Sequence, residues 1–284
     1  MMPIYQVVIL ALVQAATEFL PISSTAHLVV IPWLLGWNDP GLDFSIALHL
    51  GTLIAVLSYF SKTWLRLISL SLGRKALVPS AGEQDHDLYD NPKLFWFLVA
   101  ATVPAGIAGL LFEDHIETTF RSPVVIGVML IAGGLLIGLA DRQKRLLKNL
   151  GNVNFVHSMI IGCAQTLALV PGTSRSGITI AAAMFLGVER PSAARFSFLL
   201  SSPIILGASL KAVYDLSVEG GIVSHMQAPF LVGIIVSAIT GYAVIALFVS
   251  YLQRRTMKIF VYYRVISGII ILALASFFGS SLAD

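Results

Sequence analysis

The chain has 284 residues, 57 % apolar and 12 % charged, with a formal net charge of +3 and a mean hydropathy of +0.86. Soluble domains carry about 25 % charged residues, so this composition excludes one water-soluble core and defines an all-α polytopic membrane protein with no nucleic-acid partner. The single cysteine, Cys163, excludes an internal disulfide and a thiolate metal cluster.

The N-terminal MMPIYQ lacks the basic stretch and A-x-A pattern of a cleaved leader and is read as part of the mature protein. Residues 4–37 are apolar over more than the roughly 20 residues a span needs, but "EFLPISSTAH" at 18–27 breaks them near the middle. Irregular backbone at membrane depth survives only against protein or a water-filled cavity. The break therefore predicts two half-length helices beside a cavity. A span at 44–61 leads into a basic connection, 62–93, with Lys62, Arg66, Arg74, Lys75 and Lys93. Inside it, "GEQDHD" at 82–87 reads as a solvated acidic turn. Spans at 94–112 and 122–140 enclose an acidic connection holding Glu113, Asp114 and Glu117. The 141–151 connection is basic, with Arg142, Lys144, Arg145 and Lys148. A second long apolar region, 155–188, is broken by "PGTSRSG" at 171–177, and Arg190 and Arg195 flank its exit. Spans at 194–214, 228–252 and 259–279 follow. Between them lie an acidic connection, with Asp215 and Glu219, and a basic one at 253–264, with Arg254, Arg255, Lys258 and Arg264.

Basic connections face the cytoplasm, so each broken region enters and leaves on one side, the first outside and the second inside. "FLPISSTAH" aligns with "LVPGTSRSG" at an offset of 150, matching Pro21 to Pro171, Ser23 to Thr173 and Ser24 to Ser174. "FSIALHLG" at 44–51 likewise resembles "FSFLLSSP" at 196–203. The expected architecture is a single membrane domain of six spanning helices plus two broken re-entrant pairs. These form an inverted-topology repeat of two five-helix halves, 1–141 and 151–284, whose breaks meet near the midplane.

The polar residues of the two breaks are read as one site. A carboxylate in hydrocarbon costs about 2.5–3.5 kcal/mol on insertion scales, so Glu18 is expected to face a cavity or a partner. Gln14 lies one turn earlier on the same face, and the pair offers a carboxylate and an amide carbonyl to a hard cation, Mg2+ or Ca2+. Pro21 ends the first half-helix. Ser23, Ser24 and Thr25 either cap the next one or bind an anion at its start. His27 lies within reach of Ser24 and Glu18, which predicts a Ser–His–Glu arrangement.

In the second break, Gly172 and Gly177 let backbone approach a ligand closely. Thr173, Ser174 and Ser176 supply donors at a helix start, and Thr179 adds a hydroxyl one turn on. Arg175 is the sharpest signal, because a guanidinium fork at membrane depth suits phosphate; an ion pair with Glu18 is the structural alternative. His49, in "ALHLGT", either lines the same cavity or is packed, and His86, His115, His157 and His225 carry no ligand spacing. Two functions fit these residues. A phosphatase needs the Ser–His–Glu cluster beside the arginine, whereas a transporter or flippase of an anionic lipid or small anion needs only the arginine.

"EFLPISSTAH", "PGTSRSG" and the "FSFLLSSP" that follows resemble the undecaprenyl-diphosphatase, or bacitracin-resistance, family over essentially the whole chain. The resemblance implies a multi-pass enzyme of the bacterial plasma membrane that hydrolyses undecaprenyl diphosphate to the monophosphate. That reaction recycles the lipid carrier of cell-wall peptidoglycan synthesis and confers bacitracin resistance. It also implies divalent-metal dependence and a site open to the periplasmic side. By motif position the functional residues are Glu18, Ser24, His27, Ser174, Arg175 and Thr179. The chain departs at Gln14, where the family often has glutamate, which removes a charge from any metal shell. Two mechanisms stay open: Ser24 as nucleophile with His27 as base, or His27 activating water while Ser24 positions phosphate. Homo-oligomerisation is left open.

Overall fold

The computed structural model describes residues 2–38, 41–74, 83–120, 122–218 and 226–278, with backbone alone at 41–43, 83–86, 113–119, 215–217 and 278. Lys75, Glu113, Asp114, Glu117, Asp215, Glu219, His86, His115 and His225 thus fall outside the described residues or side chains.

The described residues form eleven α-helices: α1 Ile4–Phe19, α2 Ser24–Leu35, α3 Gly41–Tyr59, α4 Ser61–Ser71, α5 Leu94–Thr119, α6 Pro123–Asp141, α7 Phe155–Thr166, α8 Arg175–Phe185, α9 Arg190–Val218, α10 Gln227–Leu252 and α11 Lys258–Phe278. Five of them, α5, α6, α9, α10 and α11, are long and apolar enough to cross a membrane. The sixth expected span, α3, qualifies only together with α4, from which it is bent by 68°. Both broken regions appear as expected, α1–α2 and α7–α8, each a pair of short helices around an irregular turn, with α1, α2 and α7 apolar.

Local chemistry explains these boundaries. Ser122 caps α6 by accepting from Val125 N at 3.2 Å, with Pro123 at the first helical position. Asn154 caps α7, accepting from His157 N at 2.9 Å, and this accounts for His157. At the end of α2, Gly36 takes a left-handed conformation (φ 63°) that releases the chain.

The packing partners of the two halves are exchanged. Helix α1 packs on α10 and α7 on α5, while α3 meets α9 and α6 meets α11. Beneath the first break, Phe19 stacks edge-on against Phe198 of α9, with centroids 5.4 Å apart, and Phe198 leans on Phe248 of α10 at 6.0 Å. Glu18 is therefore carried on an aromatic layer that fixes the end of α1.

At the basic end, Asp141 accepts from Arg190 Nε at 2.5 Å and from Met257 N at 3.1 Å, tying together the ends of α6, α9 and α11. Asp87 departs from the expected solvated turn. It is buried, accepts from Leu150 N at 3.2 Å and pairs with Arg195 at 3.5 Å. An aspartate in a loop sequence reads as solvated, but the 3₁₀ segment Glu83–Asp90 packs on α4 and the Leu150–Asn152 turn, which brings Asp87 to the buried Arg195 of α9, a cation that requires an anion.

Candidate active site

The two breaks meet. Their backbones share one unusual feature: Ser23 (φ 76°, ψ 101°) and Ser174 (φ 70°, ψ 112°) are the non-glycine residues with positive φ among those described. Such a conformation is sterically costly for a side-chain-bearing residue and persists only where surroundings enforce it. Each of these serines immediately precedes its helix, so α2 starts at Ser24 and α8 at Arg175. The match is therefore Ser23 to Ser174 and Ser24 to Arg175, one residue away from the alignment anchored on the prolines. The extra residue is Gly172, whose φ is 91° and where an added Cβ would lie 2.6 Å from Ile126 O.

The enforcing group is Arg264, fully buried in α11. Its guanidinium donates to Pro21 O at 3.2 Å in the first break and to Gly172 O at 2.9 Å and Thr173 O at 3.0 Å in the second. It also donates to Leu130 O and Met129 O of α6, both at 3.1 Å. It reaches these carbonyls by passing Gly133, where a Cβ would collide with it. By charge pattern alone Arg264 belongs to the basic 253–264 connection. The missed signal was an arginine well inside the apolar helix "FVYYRVISGII", where a charge needs partners.

With the turns pinned, the first residues of both helices converge on Glu18. Ser24 Oγ donates to Glu18 Oε2 at 2.6 Å, and Arg175 Nη2 forms an ion pair with Glu18 Oε1. Gln14 Nε2 adds a bond to Oε2 at 3.0 Å. His49 stands 3.6 Å from the same oxygen, and its Nδ1 lies 2.7 Å from Ser45 O; the carbonyl can only accept, so Nδ1 carries the proton and Nε2 faces the site. Of the two options for His49, the structure selects the cavity. The expected Ser24–His27–Glu18 arrangement is not formed. Both His27 nitrogens are engaged elsewhere, Nδ1 with Ser23 O at 2.7 Å and Nε2 with Tyr263 OH at 2.5 Å, and its ring stacks on Tyr263. The positive φ at Ser23 turns the helix start so that Ser24, not His27, faces Glu18.

A cavity of about 570 Å³ opens beside this cluster, and Glu18, Ser23, Ser24, Thr25, Ser174 and Arg175 contribute to its wall, as does Gly172. Helix α2 has no side-chain cap at Ser23, which leaves its first N–H groups for an anion. Other predicted residues hold the turns instead. Ser174 caps Gly177 N at 3.1 Å, Ser176 bonds Leu20 O at 3.1 Å and so ties break to break, and Thr179 bonds Arg175 O at 2.7 Å and Ser197 at 2.6 Å. Thr173 is buried away from the cavity wall. At Gly177 an added Cβ would press on Ile137 and Ser174, so this glycine serves packing.

For a divalent cation, the fit rests on Gln14. It is fully buried, and its Oε1 has no hydrogen-bond partner among the described residues. Among the described residues no group of three or more His, Cys, Asp or Glu side chains gathers. Gln14 and Glu18 thus fit as one edge of an oxygen shell that phosphate and water oxygens would complete.

A paired carboxylate, hydroxyl and guanidinium on the wall of a largely apolar cavity, inside a helical membrane bundle, define a membrane protein that handles an anionic amphiphile. The family model described as bacitracin resistance protein BacA matches residues 7–270, and the chain belongs to this family. It is 45 % identical over 271 residues to an undecaprenyl-diphosphatase of Desulforudis audaxviator, covering 95 % of this chain and 97 % of the relative. A protein of the same name from Elusimicrobium minutum is 47 % identical over 94 % of this chain and 96 % of its own length. Another, from Pelotomaculum thermopropionicum, is 42 % identical over 97 % and 98 %.

Proposed function

We propose that this chain is a multi-pass membrane phosphatase that hydrolyses undecaprenyl diphosphate to undecaprenyl phosphate and inorganic phosphate, the step that recycles the carrier lipid of cell-wall synthesis and underlies bacitracin resistance. The observation that carries the reading is the Ser24–Glu18 hydrogen bond at 2.6 Å beside Arg175. A transporter needs the arginine to bind an anion, but has no use for a hydroxyl held on a carboxylate base.

The chemistry follows from that geometry. Arg175 and the open N–H groups of α2 bind the terminal phosphate and stabilise charge on the transferring group. As Arg175 turns to the phosphate it releases Glu18 Oε1, so the substrate itself exposes the base. Ser24 Oγ attacks the terminal phosphorus, and its proton passes to Glu18 Oε2. The bond from that phosphorus to the bridging oxygen breaks, and the electron pair leaves with the lipid monophosphate. The departing lipid phosphate takes that proton from Glu18 and frees the base. Water, deprotonated by Glu18, then attacks the phosphoserine, the P–Oγ bond breaks, and Ser24 Oγ recovers its proton from Glu18 as inorganic phosphate leaves. In this scheme His27 is a positioning residue, holding Ser23 O. A divalent ion, Mg2+ or Ca2+, held by Glu18 and Gln14 together with the substrate, would neutralise charge on the diphosphate.

The site opens outward in this reading. The cavity rim at Gly109–Leu110 and Lys211 lies towards the α5–α6 and α9–α10 connections, opposite the basic ones. The exchanged packing of α1 on α10 and α7 on α5 supports the two halves, 1–141 and 151–284, as inverted repeats. The direct test is phosphate release from undecaprenyl diphosphate by purified protein in detergent, with and without EDTA. The expected result is turnover that the chelator suppresses. Substrate binding without phosphate release would return the transporter.

A further inference from the structure

Two of the polar side chains on the cavity wall are buried and have no part in the reaction scheme. Gln165, in the last turn of α7, is 2 % exposed, and Ser209, in α9, is 4 % exposed; both line the cavity. Among the described residues neither Nε2 nor Oε1 of Gln165 has a hydrogen-bond partner, and neither does Ser209 Oγ. Buried polar atoms are nearly always paired, and one left unpaired retains its full desolvation cost. Other cavity-lining groups are committed: Ser24 and Arg175 to Glu18, Ser174 to Gly177, His49 to Ser45.

Gln165 also has a counterpart. Gln14 and Gln165 each lie nine residues before their positive-φ serines, Ser23 and Ser174. The two glutamines thus occupy matching turns of the helices that enter the breaks, but Gln14 is spent on Glu18. The position matching Glu18 in the second break is Leu169, which offers no carboxylate to Gln165. It shares the cavity wall with the apolar or side-chain-free residues Gly106, Ile204 and Gly207.

We infer that Gln165 and Ser209 bind the phosphate that stays on the lipid, while Ser24 and Arg175 engage the one that leaves. This rests on the phosphatase reading and extends it to substrate choice. A diphosphate needs two anion contacts one bridging oxygen apart, and Gln165 Nε2 and Ser209 Oγ are donors with no other use. Gln165 Oε1 accepts from bound water or from a protonated phosphate oxygen. A monophosphate, filling only the Arg175 contact, gains nothing from them, so the pair separates substrate from product.

The experiment compares wild type, Gln165→Met and Gln165→Glu in detergent, measuring affinity for a methylene-bridged farnesyl diphosphonate and for farnesyl monophosphonate, and the ligand-free melting temperature. Gln165→Met should weaken the diphosphonate about 10-fold to 100-fold, the range for a hydrogen bond to a charged group, and the monophosphonate less than about 3-fold. Its ligand-free melting temperature should hold or rise, since an unpaired amide is removed. Gln165→Glu should weaken the diphosphonate further by repulsion. Equal losses for both ligands, or a lowered melting temperature with unchanged diphosphonate affinity, would overturn the inference and leave Gln165 a water-filled structural residue. Wild type that binds the diphosphonate through Gln165 but releases no phosphate from farnesyl diphosphate would sink the enzymatic reading alone and leave the contact standing.

Discussion

Glu18 and Arg175, 157 residues apart in the chain, form an ion pair that joins the two breaks on the wall of the cavity. Each neutralises the other inside the bundle, and each is the other's main reason for being tolerated there. The pair lies in the site, so its loss is read in turnover as well as in folding. Arg175→Lys keeps the charge but loses the fork, and is expected to lower turnover about 10-fold to 100-fold. Arg175→Ala should be worse. Near-normal phosphate release by a folded Arg175→Ala protein would remove the guanidinium from the chemistry.

Ser24 and His27 are predicted to behave differently. On the proposed scheme Ser24→Ala removes the nucleophile, and it should cut turnover by about 10³-fold or more. His27→Ala loosens Ser23 and shifts the helix start, an indirect effect expected to cost on the order of 10-fold to 100-fold. Rapid quench with substrate labelled at the terminal phosphate should leave label on wild type and on His27→Ala, and none on Ser24→Ala. Equal losses from the two variants, with no labelled protein, would restore His27 as the activator of water.

Arg264 is predicted to be structural for the whole site. Arg264→Met takes the arginine's donors from three buried break carbonyls, those of Pro21, Gly172 and Thr173, each costing about 1–3 kcal/mol. Melting in detergent should drop sharply, and Arg264→Lys should recover only part of it because an ammonium cannot span both breaks. A variant with wild-type melting and activity would show that the turns hold themselves.

Orientation is tested at Lys93, exposed at the start of α5. Lys93→Cys in a Cys163→Ser background should resist a membrane-impermeant maleimide in intact cells and react after permeabilisation. Labelling in intact cells would invert the topology and place the cavity on the cytoplasmic side.

The spans and both breaks were legible because hydropathy and proline act locally, and a run such as 122–140 has no other stable state in lipid. The acid, hydroxyl and guanidinium at Glu18, Ser24 and Arg175 were legible for the related reason that polar groups at that depth require partners. His27 was misread because spacing along a helix assumes the helix start, and the start depends on the positive φ at Ser23. The break register slipped by one for the same reason, since Pro21 and Pro171 look equivalent but Gly172 adds a residue. Arg264 and Gln165 act through carbonyls and a cavity wall contributed by distant segments. Periodicity within one segment carries no trace of such contacts.

The central claim is that Glu18 links a nucleophile from one break to a phosphate-binding arginine from the other. Phosphate release from undecaprenyl diphosphate by wild type and Glu18→Gln, purified side by side and matched for melting in detergent, tests it most directly. The account predicts steady turnover by wild type and a loss of about 100-fold or more in Glu18→Gln, which keeps the shape but not the base. Turnover by Glu18→Gln within a few-fold of wild type would contradict it.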